Sequence, residues 1–200
     1  AQVEKNIENW QKMISEKGCT LRPHIKTHKI VRFARMQVEA GAVGVTCAKL
    51  GEAEVMAAGG IKDIFIAYPI IGAEKIERLL CLARQVRIIG TVDSLVGAKA
   101  ISEAAVSHGQ ELEIRMEIDT GYQRTGCPVE KAVELAKEIQ RLPGLKLTGI
   151  FTFHSNTFEG KPTMDMEAAG HEEGRIMTEL AGQMREAGIP IKDVSGGSTP

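Results

Sequence analysis

The sequence predicts an α/β fold, a parallel sheet whose faces are covered by helices. Three observations carry this. Apolar stretches of strand length alternate with helical stretches at short spacing along the chain. The strand stretches, such as Asp63-Ile-Phe-Ile-Ala-Tyr68, are continuous apolar runs, as in strands buried on both faces. And 200 residues suffice for one large domain with a substantial core.

The elements follow in order. Residues 3–17 read as an amphipathic helix, because Val3, Ile7, Trp10 and Ile14 recur at helical spacing and Gly18 can end it. Thr20-Leu21 and Ile25 flank a short strand that runs into Lys26. Residues 30–40 form a helix closed by Gly41, 43–48 a β-branched strand, and 50–58 a helix stopped by Gly59-Gly60. The strand 63–68 ends at Pro69. Residues 73–84 place Ile76, Leu79, Leu80 and Ala83 on one helix side. A strand at 86–92 leads to a helix at 94–108, capped by Asp93 or Ser94. The strand 112–119 ends in Asp-Thr-Gly. Pro128 takes the favoured first-turn position of a helix that runs to about residue 142. The remainder reads as a strand at 145–154, a polar loop at 155–165, a long helix at 166–187 and a last strand at 191–195.

Seven strands in one run suit two architectures. One is a (β/α) barrel short of its eighth strand; complete barrels of this type take about 250 residues. The other is an open doubly wound sheet. No G-x-G-x-x-G follows a strand, so the dinucleotide-binding form of the open sheet has no support.

Composition narrows the function classes. The net charge of -1 provides no basic field to hold nucleic acid, and 4% aromatics provide no base-stacking platform. No apolar run approaches membrane-spanning length, and the opening Ala-Gln-Val-Glu-Lys is not a secretory signal. Cys19, Cys47, Cys81 and Cys127 lie far apart with no C-x-x-C pair, which predicts reduced, mostly buried thiols in a cytoplasmic protein.

The most informative stretch is Arg22-Pro-His-Ile-Lys-Thr-His-Lys29. Lys26 stands among Arg22, His24, His28 and Lys29, and crowded cations disfavour one another's charged forms. A lysine that is partly neutral can attack an aldehyde and hold a Schiff base, which points to pyridoxal 5'-phosphate. A solvated basic loop is the plainer alternative. His24 and His28 have a spacing that binds metal on a helix, but Pro23 argues against a helix there.

Other candidates fall at strand ends, where barrel enzymes keep their chemistry. Tyr68 either points into a site or caps the core with a wet hydroxyl. Arg124 lies between Gly121 and Gly126; it either holds an anionic oxygen or pairs with Asp119 as a structural clamp. His154 ends Gly-Ile-Phe-Thr-Phe-His and serves as an acid or base, stacks on a ring, or merely satisfies a carbonyl. In Ser195-Gly196-Gly197-Ser198-Thr199, glycines let backbone N–H groups approach a phosphate and two hydroxyls add donors; a plain capped turn is the alternative.

With those residues in view, the chain resembles the barrel domain of the fold-type III pyridoxal-phosphate enzymes, the group that includes alanine racemase. The octapeptide around Lys26 resembles the branch of D-threonine aldolase and eukaryotic-type D-serine dehydratase. Glu117-Ile-Asp-Thr-Gly121, Arg124-Thr-Gly126, Gly149-Ile150 before His154, and Ser195-Gly-Gly-Ser-Thr-Pro200 support it. The resemblance implies that Lys26 carries the cofactor, that Arg124 contacts its phenolic oxygen, that His154 lines the site and that Gly196 to Thr199 bind its phosphate. It implies a lyase acting on a D-3-hydroxy amino acid, in the manner of an aldolase. A dehydratase, a racemase and a non-catalytic pyridoxal-phosphate carrier are the alternatives. It implies further that residues 1–200 are part of a longer, homodimeric protein. An eighth strand, a β-rich domain and the ligands of a divalent metal are expected outside this chain. The segment after His154, Ser-Asn-Thr-Phe-Glu-Gly, departs from the family's Ala-Gly-His-Ser-Tyr-like sequence.

Overall fold

The computed structural model describes residues 2–197. The chain folds as two compact units, Ala1–Tyr68 with Glu74–Gly90, and Pro69–Ala73 with Thr91–Pro200.

In the first unit, α1 (Gln2–Glu16) lies beside α2 (Val31–Glu39), with a groove between them lined by Ile7, Gln11, Met36 and Ala40. The apolar stripe expected on α1 is narrower than its spacing suggests. Ile7, Gln11 and Ile14 are half-buried, whereas Trp10 is 53% exposed. β1 (Val45–Cys47) pairs in parallel with β2 (Asp63–Ile66), which pairs in parallel with β3 (Arg87–Val92). α3 (Leu50–Ala58) and α4 (Ala73–Ala83) provide the crossovers and bury Leu50, Ala53, Met56, Ile76, Leu79 and Leu80. This is the parallel α/β pattern expected from the uninterrupted apolar runs.

The strand expected before Lys26 is the exception among the seven. Residues 21–24 do run beside 43–46: Val43 N–H donates to the Leu21 carbonyl at 3.0 Å and Thr46 N–H to the Pro23 carbonyl at 2.8 Å. Only one bridge, His24 with Thr46, is complete. Pro23 has no N–H to give, so the ladder cannot extend. The chain turns at once into a 3₁₀ helix at Ile25–Thr27.

In the second unit, β4 (Leu112–Asp119) pairs in parallel with β6 (Leu145–Thr152), and β6 with β9 (Asp193–Ser195). The short β5 (Cys127–Pro128) joins the end of β4. Gly149 is required where β9 meets β6, since a Cβ there would lie 2.3 Å from the Asp193 carbonyl oxygen. α5 (Leu95–Ser107) is capped by the Ser94 hydroxyl and α7 (Met166–Glu186) by the Asp165 carboxylate. α6 (Val129–Gln140) begins one residue later than expected. Pro128 is its extended cap, at φ -55 and ψ 141, and pairs with Asp119 instead of entering the first turn.

The polar loop expected after His154 contains a two-stranded hairpin, β7 (Thr157–Phe158) with β8 (Lys161–Pro162). Its tip is turned by Glu159 and Gly160, both at positive φ. No described helix is long and apolar enough to cross a membrane.

Candidate functional site

The turn that carries Lys26 is built by its neighbours. Ile25 is fully buried, and its carbonyl accepts from His28 N–H at 3.1 Å and Lys29 N–H at 2.8 Å. His24 Nδ1 accepts from the Lys26 amide at 3.3 Å, a bond that needs the nitrogen unprotonated. Burial, and then the charge of Lys26, hold the His24 imidazole down at about 4, so the ring is neutral at pH 7.

The crowd of cations expected around Lys26 is therefore dispersed. Arg22 turns to the Asp63 carboxylate, which Arg87 also binds at 2.6 Å. Lys29 Nζ lies 3.3 Å from Glu52 Oε1. Burial lowers the His28 imidazole, whose Nδ1 accepts from Ile30 N–H at 3.0 Å. The register explains the division. Arg22 precedes the bridged His24 and reaches Asp63 at the amino end of β2, whereas Lys26 follows it, at the carboxyl end. The Lys26 side chain is exposed there. Tyr68, 53% exposed, likewise lies past the carboxyl end of β2. Among the described residues no three His, Cys, Asp or Glu side chains gather so as to hold an ion.

In the second unit the carboxyl end of β4 becomes a tight turn. Asp119 Oδ1 accepts from Gly121 N–H at 2.9 Å and Gln123 N–H at 3.0 Å. The Asp119 carboxylate is thus occupied with turn amides rather than clamping Arg124. Gly126, at φ 109, packs so closely that a Cβ would lie 2.6 Å from the Asp119 nitrogen. Arg124 instead lays its guanidinium 4.6 Å from the Phe153 ring centre and 5.6 Å from that of Tyr122. Those two rings meet edge to face at 5.2 Å. Behind them, burial pushes the Glu117 carboxyl up, although Thr125 donates to it at 2.7 Å.

His154 is fully buried. Its Nδ1 lies 2.8 Å from Thr120 Oγ1, its Nε2 lies 3.3 Å from Glu172 Oε2, and its carbonyl accepts from the Thr157 hydroxyl at 2.8 Å. Both ring nitrogens face protein groups. This arrangement suits a residue that lines a site better than one that exchanges protons directly with a substrate.

The glycine tail follows β9. Gly197 N–H donates to Glu173 Oε1 at 3.0 Å, and a Cβ on Gly196 would lie 3.0 Å from the same oxygen. Ser198 and Thr199 fall outside the described residues.

Contacts link the second unit's candidates into one end of its sheet. Arg124 covers Phe153, the residue before His154; His154 faces Glu172; and Glu173, next along α7, holds Gly197. The two glutamates were not among the residues expected from sequence, yet Glu173 left a signal. It shares the buried helix face with Ala169, Met177 and Leu180, a carboxylate on an apolar stripe. Glu172 left none.

The family model for the alanine racemase N-terminal domain matches residues 1–200. The chain is 31% identical over 200 residues to D-threonine aldolase of Arthrobacter sp, covering 100% of this chain and 53% of that protein. It is 32% identical over 200 residues to D-threo-3-hydroxyaspartate dehydratase of Delftia sp. (strain HT23), covering 99% and 53%. The crystal structure of D-threonine aldolase from Filomicrobium marinum superposes with a TM-score of 0.89 at 29% identity, covering 98% of this chain and 53% of that one. The chain thus spans about half the length of these relatives.

Proposed function

Because the chain belongs to the alanine racemase N-terminal domain family, we propose that it is the cofactor-bearing part of a pyridoxal-phosphate lyase. Its fold is that of the family's barrel domain. The proposed reaction is cleavage of a D-3-hydroxy amino acid to glycine and an aldehyde. The observation that carries this reading is the placement of Lys26, an exposed amine on a rigid turn just past the carboxyl end of a parallel pairing.

The residues present fit the cofactor's chemistry. An exposed amine suits its aldehyde, an exposed guanidinium an anionic oxygen, and a glycine pair, with Gly197 at φ 115, its phosphate. When bound, pyridoxal phosphate supplies the electron sink that makes Cα–Cβ cleavage possible. Lys26 anchors it, and the buried Ile25 keeps that lysine's backbone from shifting. Arg124, fixed against Phe153 and Tyr122, supplies a cation. His154 lines the site with its ring held through Nδ1 by the Thr120 hydroxyl. Gly196, Gly197, Ser198 and Thr199 would hold the phosphate, the Gly197 amide leaving Glu173 to do so, and Tyr68 would belong to the same cofactor site. A divalent metal held outside the described residues, polarising the substrate hydroxyl, belongs to the same proposal.

A dehydratase is the second reading, since the Delftia enzyme matches the same span at an identity equal to the aldolase's within one per cent. One experiment separates them. The full protein is supplied with pyridoxal phosphate and a divalent metal and offered D-threonine and D-serine. Glycine with acetaldehyde is expected. Pyruvate with ammonia from D-serine selects the dehydratase. A yellow protein inert to both substrates, with and without metal, overturns the lyase reading in favour of a carrier.

A further inference from the structure

The turn that carries Lys26 is tied to a carboxylate that the sequence did not single out. Glu52 stands in the first turn of α3, in the same unit as the lysine, and its side chain is only 9% exposed. A carboxylate so far out of water needs donors or a cation. Its two oxygens find one each. Oε2 accepts from the Ala48 N–H at 2.9 Å, in the residue that follows β1. Oε1 lies 3.3 Å from Lys29 Nζ, just past the far end of the 3₁₀ helix. The charge also reaches His24, on the near side of Lys26, where it opposes the lowering by burial.

Lys29 is the unusual member of this set. Its backbone lies at φ 55, a left-handed conformation that few residues with a side chain adopt. Such strain persists where the surroundings over-determine it. Lys29 is held from both ends: its N–H donates to the buried Ile25 carbonyl at 2.8 Å, and its ammonium pairs with Glu52. Capping of α3, whose Lys49 cap makes no side-chain bond, accounts for the Ala48 contact of Glu52 but not for the Lys29 one.

We propose that Glu52 is a positioning residue for Lys26: by pairing with Lys29 it holds the closing residue of the lysine's turn on the junction of β1 and α3, and so fixes where the amine meets an aldehyde. Lys29 is 57% exposed, so the pair adds little to stability. Aim is more sensitive than stability, because a small displacement of a reacting group slows its reaction.

The consequence for the amine rests on the proposed cofactor role of Lys26, and the test keeps the two apart. The full protein and its Glu52→Gln, Lys29→Gly and double variants are titrated with pyridoxal, an aldehyde that lacks the phosphate, and imine absorbance is read. Glutamine keeps an acceptor for Ala48 and removes the charge. Glycine removes the ammonium and suits φ 55, so Lys29→Gly should melt within about 2 °C of the wild type. Each single variant is expected to weaken imine formation about fivefold, and the double variant no further, as for residues that act as a pair. Hydrogen exchange at the His28 amide, in protein without any aldehyde, should quicken in both single variants and no more in the double. Single effects that add in the double variant, a loss in Glu52→Gln alone, or imine losses that follow the melting temperatures reduce Glu52 to a helix cap and overturn the proposal. Unchanged His28 exchange in Glu52→Gln overturns it even if the protein proves to be an active lyase. Coupled exchange in a protein that forms no imine overturns the cofactor role of Lys26 and leaves the tether standing.

Discussion

The amide of Gly197 donates to the carboxylate of Glu173 at 3.0 Å, in the turn proposed to bind a phosphate. A carboxylate that holds the turn in place also repels the dianion meant for it. Glu173→Gln keeps an acceptor for Gly197 and removes the charge. Pyridoxal phosphate is expected to bind more tightly to this variant by about 1 kcal/mol or more, roughly fivefold at least, since even fully water-screened unit charges about 4 Å apart interact by that much. Fluorescence titration of the cofactor measures it. Unchanged or weaker binding removes the tail from the phosphate site.

Lys26→Ala is expected to lose the visible absorbance of the bound cofactor without losing the fold. The side chain is exposed and Ile25 anchors the turn, so stability should stay within about 0.5 kcal/mol. If borohydride still fixes the cofactor covalently in this variant, Lys26 is not the anchor.

His24 links stability to pH. Its imidazole is held at about 4 by burial and by Lys26, against an unfolded value near 6.5. Between those values the unfolded chain binds more protons, so stability falls as pH drops through that window and levels off below it. The ring is partly exposed and solvent screens the effect, so the loss is discounted to about 1 kcal/mol. Urea denaturation at pH 7 and at pH 4.5 should show this loss in the wild type and a smaller one in His24→Asn. Equal losses in both proteins reject His24 as the linked group.

Asp63 joins the largely buried Arg22 to Arg87, so Asp63→Ala leaves Arg22 at 9% side-chain exposure without its carboxylate. A loss of about 3 kcal/mol is expected. For a chain of this size each kcal/mol lowers the melting temperature by about 2–4 °C, which calorimetry resolves. A shift of under a degree means that the guanidinium finds other partners.

The thiols should separate into two classes. Cys19 and Cys81 are exposed, whereas Cys47 and Cys127 are buried. Burial, then the charge of Glu52, pushes the Cys47 thiol up to about 12, and burial raises Cys127 as well. In the native protein only Cys19 and Cys81 should react with a disulfide reagent at pH 8, the other two requiring denaturant. Rapid labelling of Cys47 contradicts the packing of β1.

The expectation of mostly buried thiols was thus half right, and the reason is local. Cys47 and Cys127 lie on strands of the sheets, while Cys19 and Cys81 lie on solvent-facing turns and helix surfaces, a distinction their types do not carry. Trp10 shows the same limit. Helical spacing placed it on the stripe with Ile7 and Ile14, but the width of α2's contact decides how much of a stripe is covered.

Sequence alone determined the alternation of strand and helix, most element positions, and Lys26 as the residue to watch. These are written in local terms: runs of apolar residues, caps, and one unusual octapeptide whose side chains sit within a few residues of each other. Tertiary structure alone decided which charges meet. Arg22 finds Asp63 forty-one residues away, and His154 meets a threonine thirty-four residues before it and a glutamate on α7. Electrostatic partners are set by register between strands and by the rotation of helices on the sheet. Neither leaves a mark in the spacing of the residues that they bring together.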